Sequence, residues 1–177
     1  MQHELQIKKA TTADLDGITA LYQAVCDHLA THENHPGWKK DVYPARVDAQ
    51  NALSANALYV AKSSECITGT VILNHEPETG YQNGNWLTEN DYNHIYVVHT
   101  LAVHPDHLKC GIATKLLLFA EQLARQEGCV SIRLDVSKRN LPAQRLYQKC
   151  GYQQIGTVSL GLEAYGLPWF ELYEKAL

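Results

Sequence analysis

The chain is expected to adopt an α/β (α+β) fold, a mixed, mostly antiparallel twisted sheet with one parallel βαβ unit at its centre and helices on both faces. Three observations predict it. Two β-rich runs, 57–62 and 66–75, are separated only by Ser63, Ser64 and Glu65, as in an antiparallel hairpin. The run NHIYVVHTLAVHP (93–105), a helical pattern over 111–127 and VSIRLDV (130–136) make a strand, a crossover helix and a parallel strand. Two further β runs, 152–160 and 168–177, close the chain.

Each element has a local reason. LQIKKA (5–10) reads as a short strand. A helix follows over 11–30: Thr11 or Thr12 can cap it, Asp14 sits in its first turn, and Ile18, Leu21, Val25 and Leu29 keep helical spacing. A second helix fits 45–55. Residues 76–91 carry Pro, Gly and Asn without usable periodicity, and so long a structureless segment is usually functional or mobile. The strand at 93–105 is nearly all β-branched, aromatic or aliphatic. In the helix after it, Ile112, Leu116, Phe119, Ala120 and Leu123 form an apolar stripe that Gly128 ends. A short helix over 142–150 is stopped by Gly151, and Pro168 is expected to start the last strand, where a missing N–H costs least.

Composition excludes several classes. At 177 residues the chain exceeds the ~100–150 of a modal domain but falls short of two, so residues 1–177 are read as one domain. With 45% hydrophobic and 19% charged residues, disorder is excluded. The formal charge of −4, without a long basic run, argues against nucleic acid. The polar start MQHELQIKK lacks an apolar signal region and no apolar stretch approaches the ~20 residues of a membrane span, so a soluble, cytoplasmic protein is expected. Five widely spaced cysteines without a CxxC pair read as reduced thiols. His28, His32 and His35 stand at i, i+4 and i+7, a spacing that can present metal ligands, but imidazoles near a helix C-terminus also suit its dipole. No metal is expected.

The segment HPDHLKCGIAT (104–114) enters the 111–127 helix. A helix N-terminus offers backbone N–H groups with no intrahelical partner and aligned dipoles, which suits phosphate. Gly111 lets a ligand approach the backbone, Ala113 keeps the wall small, and Thr114 adds a hydroxyl. Neither GxxxxGK[ST] nor GxGxxG is present, which argues against an NTP-hydrolysing loop and a dinucleotide site.

Residues 98–158 resemble the acetyl-CoA-binding core of the GNAT N-acetyltransferases, whose signature Gln/Arg-x-x-Gly-x-Gly/Ala falls on Leu108, Lys109, Cys110, Gly111, Ile112 and Ala113. LAVHPDH matches the family's strand and turn, Asn140, Ala143, Tyr147 and Gly151-Tyr152 match its later N…A…Y…GY pattern, and IKKATTADLDGITALY resembles its first strand and helix. Leu108 departs from the family's Gln or Arg. The resemblance implies an enzyme that moves the acetyl group of acetyl-CoA to a primary amine by direct attack in a ternary complex. It implies that the pantetheine arm lies along Leu101, Ala102 and Val103, and that the pyrophosphate rests on the N–H groups from Lys109 to Thr114. Asn140, Ala143 and Tyr147 complete the implied set.

The residue types suit that chemistry. An attacking amine must be neutral, yet an alkyl ammonium has a pKa near ~10.4, so a group must take its proton. His99 is a candidate base, because an imidazole with an ordinary pKa of ~6.5 is largely neutral at pH 7; the alternative is a histidine packed in the sheet. Tyr147 occupies the family's position for the proton donor to the departing thiolate; the alternative is a core aromatic. Cys110 at a helix N-terminus is either a reactive thiol or a tolerated loop residue. Lys138 and Arg139 either attract phosphate or form a solvated turn. Acidic residues at Glu33, Asp41, Glu76, Glu78, Glu89 and Asp91 would favour a cationic small-molecule amine. A homodimer through the C-terminal strands is compatible with the sequence. The competing class is a CoA-binding sensor or partner-binding module that kept the fold and lost turnover.

Overall fold

The computed structural model describes residues 4–177; Met1, Gln2 and His3, part of the polar N-terminal stretch, lie outside the described residues. The elements are β1 (Gln6–Lys9), α1 (Leu15–Thr31), α2 (Arg46–Ser54), β2 (Leu58–Ser63), β3 (Cys66–Asn74), β4 (Ile95–Val103), α3 (Ile112–Gln126), β5 (Ser131–Ser137), α4 (Leu141–Lys149), β6 (Gln153–Val158) and β7 (Phe170–Ala176). Among the described residues the sheet has seven strands in the order β1-β2-β3-β4-β5-β7-β6. β4 and β5 run parallel, while β1/β2, β2/β3, β5/β7 and β6/β7 are antiparallel. The mixed, mostly antiparallel fold is therefore the one expected. No helix among the described residues is long and apolar enough to cross a membrane.

The chain divides into two compact units: residues up to 34, 38–73 and 100–119 form unit 1, and residues 35–37, 74–99 and 120–177 form unit 2. In unit 1 the first helix starts later than its pattern predicts. Residues Thr12–Asp14 make a 3₁₀ turn first, because the Asp14 carboxylate accepts from the Thr11 N–H at 2.8 Å and from its hydroxyl at 3.0 Å. Burial alone would raise the Asp14 carboxyl, but hydrogen bonds from Lys62 and Thr11 outweigh it and hold it below the usual range. The pleat of β2 divides its side chains: Leu58 and Val60 join Ile18, Leu21, Tyr22 and Val25 of α1 and Ala49 and Ala52 of α2, while Tyr59 packs on Phe119 of α3 with ring centroids 5.3 Å apart. Helices thus cover both faces of this strand.

α1 ends at Thr31 and His32 is already extended, so the helical spacing of His28, His32 and His35 does not continue. The His28 and His32 rings stack 3.9 Å apart, and among the described residues no group of three His, Cys, Asp or Glu could hold a metal.

Unit 2 is organised by β5, which pairs with β4 from Ile95↔Ser131 to Val98↔Leu134 and with β7 along its whole length. Its alternation places Ser131, Arg133, Asp135 and Ser137 on one face, and Ser131, Arg133 and Ser137 are buried. What covers that face is the segment expected to be structureless. It carries a 3₁₀ turn at Thr79–Asn83 and buries Tyr81 beside Val97, Val158 and Leu172, and a second turn at Tyr92–His94 takes the first residues expected in the strand over 93–105. β7 begins at Phe170, two residues after Pro168, so the proline lies outside the ladder it was expected to start.

Gly80 shows how tightly this segment is seated. A Cβ there would run into the Ser159 carbonyl oxygen and lie 2.7 Å from Leu160 Cδ2. Gly80→Ala is expected to destabilise the fold by about 2 kcal/mol through overpacking, measured by urea unfolding; an unchanged midpoint would mean that the segment is loosely held.

Candidate functional site

The residues predicted from sequence fall into two sets, one in each unit. Unit 1 holds Leu101, Ala102, Val103 and the loop Leu108–Thr114; unit 2 holds His99, Asn140, Ala143 and Tyr147.

In unit 1 the strand geometry changes at Thr100, whose φ of 45° is left-handed, and its Oγ1 is hydrogen-bonded to the Tyr43 hydroxyl. After it the alternation resumes with Ala102 buried in the core and Leu101 and Val103 half-buried. The His104 N–H donates to the Thr68 carbonyl at 2.9 Å, and then the chain leaves the sheet through the 3₁₀ turn Pro105–His107. Leu108, Lys109, Cys110 and Gly111 are exposed. Lys109 and Gly111 are both left-handed, with φ of 62° and 78°, so the backbone turns sharply twice before α3. Non-glycine residues seldom adopt this conformation, and its presence at Lys109 marks a loop held in shape.

The first turn of α3 closes when the Lys115 N–H donates to the Gly111 carbonyl at 3.0 Å. The N–H groups of Ile112, Ala113 and Thr114 precede any intrahelical acceptor. Buried Ile112 pins this turn in place, because Gly69 leaves room for it: a Cβ on Gly69 would lie 2.9 Å from Ile112 Cγ2. A Cβ on Gly111, in contrast, would meet nothing within 4 Å. The exposed turn therefore offers uncovered N–H groups and open space, which fits an anion such as a phosphate.

In unit 2, His99 is held on both sides. Its Nδ1 lies 3.2 Å from Glu78 Oε1, and its Nε2 lies 3.0 Å from Asn74 Oδ1 and 3.2 Å from the Glu76 carbonyl. Asn74 Oδ1 also accepts the Glu76 N–H at 3.0 Å, which fixes it as an acceptor and makes Nε2 the donor. Both ring nitrogens thus face oxygen atoms. The hydrogen bond from His99, outweighing burial, holds the Glu78 carboxyl below its ordinary value.

Asp135, which the sequence reading passed over, is the second titratable group here. Its Oδ1 accepts the Tyr81 phenol at 2.7 Å. Burial pushes its carboxyl up to about 6; the Glu78 charge adds to the rise, while the Tyr81 bond and His99 oppose it. Its signal in the sequence is the strand S-I-R-L-D-V-S, where polar residues recur every second position and so share one face.

Tyr147 is buried on α4, with its ring 5.8 Å from Tyr173 and 6.1 Å from Tyr152. Burial first, and then the Asp135 charge, raise its phenol above the ordinary value, so it keeps its proton at neutral pH. Asn140 caps α4, accepting the Ala143 N–H through Oδ1 at 3.3 Å. Ala143 is half-buried, and Lys138 and Arg139 are exposed.

The raised carboxyl has a stability consequence. An unfolded aspartate titrates near ~3.9, so between there and about 6 the folded chain binds the extra proton, and stability falls as pH rises through that window. Asn at this position would still accept from Tyr81 without carrying charge. Asp135→Asn is expected to raise Tm more at pH 7.5 than at pH 4.5 by scanning calorimetry. An equal change at both pH values would refute the assigned burial cost.

Comparison with known proteins shows the family. A model described as the acetyltransferase (GNAT) family matches residues 19–152. The UPF0157 protein YqkA of Bacillus subtilis (strain 168) is 32% identical over 169 residues, 96% of this chain and 37% of that protein. The aminoalkylphosphonate N-acetyltransferase of Salmonella typhimurium is 26% identical over 150 residues, 84% of this chain and 85% of that protein. The chain spans only about two fifths of the first curated relatives it matches. A GNAT-family acetyltransferase structure from Streptococcus agalactiae superposes with a TM-score of 0.80 at 22% identity, covering 100% of this chain and 98% of that one. With a family match extending from α1 past the end of α4, the chain belongs to the acetyltransferase (GNAT) family.

Proposed function

We propose that the chain, acting as one domain over residues 1–177, is an acetyl-CoA-dependent N-acetyltransferase whose acceptor is a small-molecule primary amine. The observation that carries this reading is the loop of unit 1, left-handed at Lys109 and Gly111, with uncovered N–H groups at the start of α3. Acetyl-CoA supplies an activated acetyl thioester. The N–H groups from Lys109 to Thr114 hold its pyrophosphate, and the backbone of Leu101, Ala102 and Val103 gives the pantetheine arm a strand edge. Leu108 contributes its backbone, since phosphate recognition here needs no side chain. Asn140 and Ala143 serve the same co-substrate by setting the start of α4.

In unit 2 the acidic groups Asp135 and Glu78 favour a cationic amine. Two residues compete for its proton. His99 takes it in one reading, once the proton on Nε2 has passed to solvent, with Glu78 holding Nδ1 while Nε2 exchanges Asn74 for the amine. Asp135 takes it in the other, favoured because its carboxyl is poised at about 6 while both His99 nitrogens are engaged. Once Asp135 is neutral, it no longer raises the Tyr147 phenol, so accepting the amine proton strengthens the acid that protonates the departing thiolate.

Titration calorimetry with acetyl-CoA, followed by thiol release against polyamines, amino acids and an aminoalkylphosphonate, tests the reading. Heat and thiol release are expected. Heat without release would favour a CoA-binding sensor, and no heat would overturn both.

A further inference from the structure

Arg133 is fully buried in unit 2; its Nε meets β7, and both of its Nη groups converge on one segment. Nε donates to Glu174 Oε1 at 3.1 Å, Nη1 to Asn90 Oδ1 at 2.6 Å and the Tyr92 hydroxyl at 2.9 Å, and Nη2 to the Thr88 carbonyl at 2.9 Å and the Glu89 carbonyl at 3.3 Å. The guanidinium carbon also lies 4.2 Å from the Trp86 ring centroid and 5.2 Å from that of Tyr92. Trp86 passes this hold onward: its Nε1–H donates to the Tyr81 carbonyl at 2.7 Å, and the two rings pack 5.1 Å apart. Tyr81 then meets Asp135. As the segment advances from Tyr81 to Thr88, its contacts step back along β5 from Asp135 through Arg133 to Ser131, whose Oγ lies 2.9 Å from Thr88 Oγ1.

Burying a guanidinium is a poor way to gain stability, because desolvation offsets most of the attraction and an apolar side chain of similar volume does as well. What the planar fork supplies is fixed geometry, with several donors aimed at several points of one loop. We propose that Arg133 is a positioning residue for the acceptor: through Trp86 it fixes the 79–94 segment so that the Tyr81 phenol closes over the Asp135 carboxylate. This rests on the acetyl-transfer reading only for its effect on acceptor binding. The closure itself is a property of the resting protein.

Two variants test it. Arg133→Lys keeps the charge and loses the fork; Trp86→Leu, at a half-buried position, keeps Arg133 and its ion pair and cuts the link to Tyr81. Asp135 faces Tyr81 from the segment, Glu78 just before it, His99 from β4 and, by charge, Tyr147 from α4, and neither variant replaces any of these four residues. Carboxylate-carbon NMR is expected to show Asp135 titrating lower in each variant, toward the ordinary carboxylate range, as water reaches it. Acceptor KM is expected to rise roughly 10-fold while acetyl-CoA KM stays within about twofold, a split that general loosening of the fold would not give. If Arg133→Lys fails to fold, Trp86→Leu decides. An unchanged Asp135 titration in folded Trp86→Leu, or equal rises in both KM values, overturns the proposal. Should the wild-type chain transfer acetyl to no amine, the enzymatic reading falls while the titration still judges the clamp.

Discussion

Replacing Tyr147 with phenylalanine is expected to lower kcat by about 10²- to 10³-fold while acetyl-CoA affinity stays within about twofold, because only the proton donor is lost. The ring contacts with Tyr152 and Tyr173 need no hydroxyl, so phenylalanine can keep them and the fold. The raised phenol makes the assignment demanding: a thiolate whose conjugate acid lies near ~8.5 is a weaker base than this phenolate, so transfer needs help. The Asp135 charge is the adjustable part of that rise. It vanishes when Asp135 takes up a proton. If this coupling operates, Asp135→Asn should slow the base step yet leave Tyr147 a stronger acid, and the double variant with Tyr147→Phe should be non-additive. Stopped-flow thiol release at saturating acetyl-CoA measures the first effect. Unchanged turnover in Tyr147→Phe would remove the acid role.

Gly111→Val is expected to raise the Kd for acetyl-CoA by about 30- to 100-fold, or ~2–3 kcal/mol. Two causes act together. At φ 78° a β-branched residue is strained by at least ~1–2 kcal/mol, which pulls the loop out of shape, and the side chain would fill space now open at the helix N-terminus. The effect should be confined to this co-substrate. Its check is titration calorimetry together with Tm, because unit 1 keeps its core under Ile112 and Leu116. Wild-type affinity in the variant would show that phosphate is held elsewhere.

The fold class was legible because periodicity and turn chemistry are local. The hairpin between β2 and β3, the strong strand β4, the stripe on α3 and the glycines that end α3 and α4 depend on neighbours a few residues away, and each element was placed within a residue or two. The helix-start loop was legible for the same reason, since Gly111 and the small residue after Ile112 have a meaning at one helix terminus. The 3₁₀ turn before α1 was missed because it hangs on the Asp14 carboxylate folding back on Thr11, and the same side chain pairs with Lys62, 48 positions along the sequence numbering.

The segment 76–91 shows the opposite case. Its sequence offers glycine, proline and asparagine without a period, which describes a loop but not what the loop covers. The alternation of β5 likewise groups Ser131, Arg133, Asp135 and Ser137 on one face without saying whether water or protein lies over it. Only the tertiary structure brings these two silent features together, with Tyr81 on Asp135 and Trp86 on Arg133. The sequence by itself determined the family, the order of strands and helices, and the loop at the start of α3, because these follow from local pattern. The burial of Asp135 and the engagement of both His99 nitrogens were decided by long-range packing, because a group's proton affinity depends on every charge and dipole that surrounds it in space.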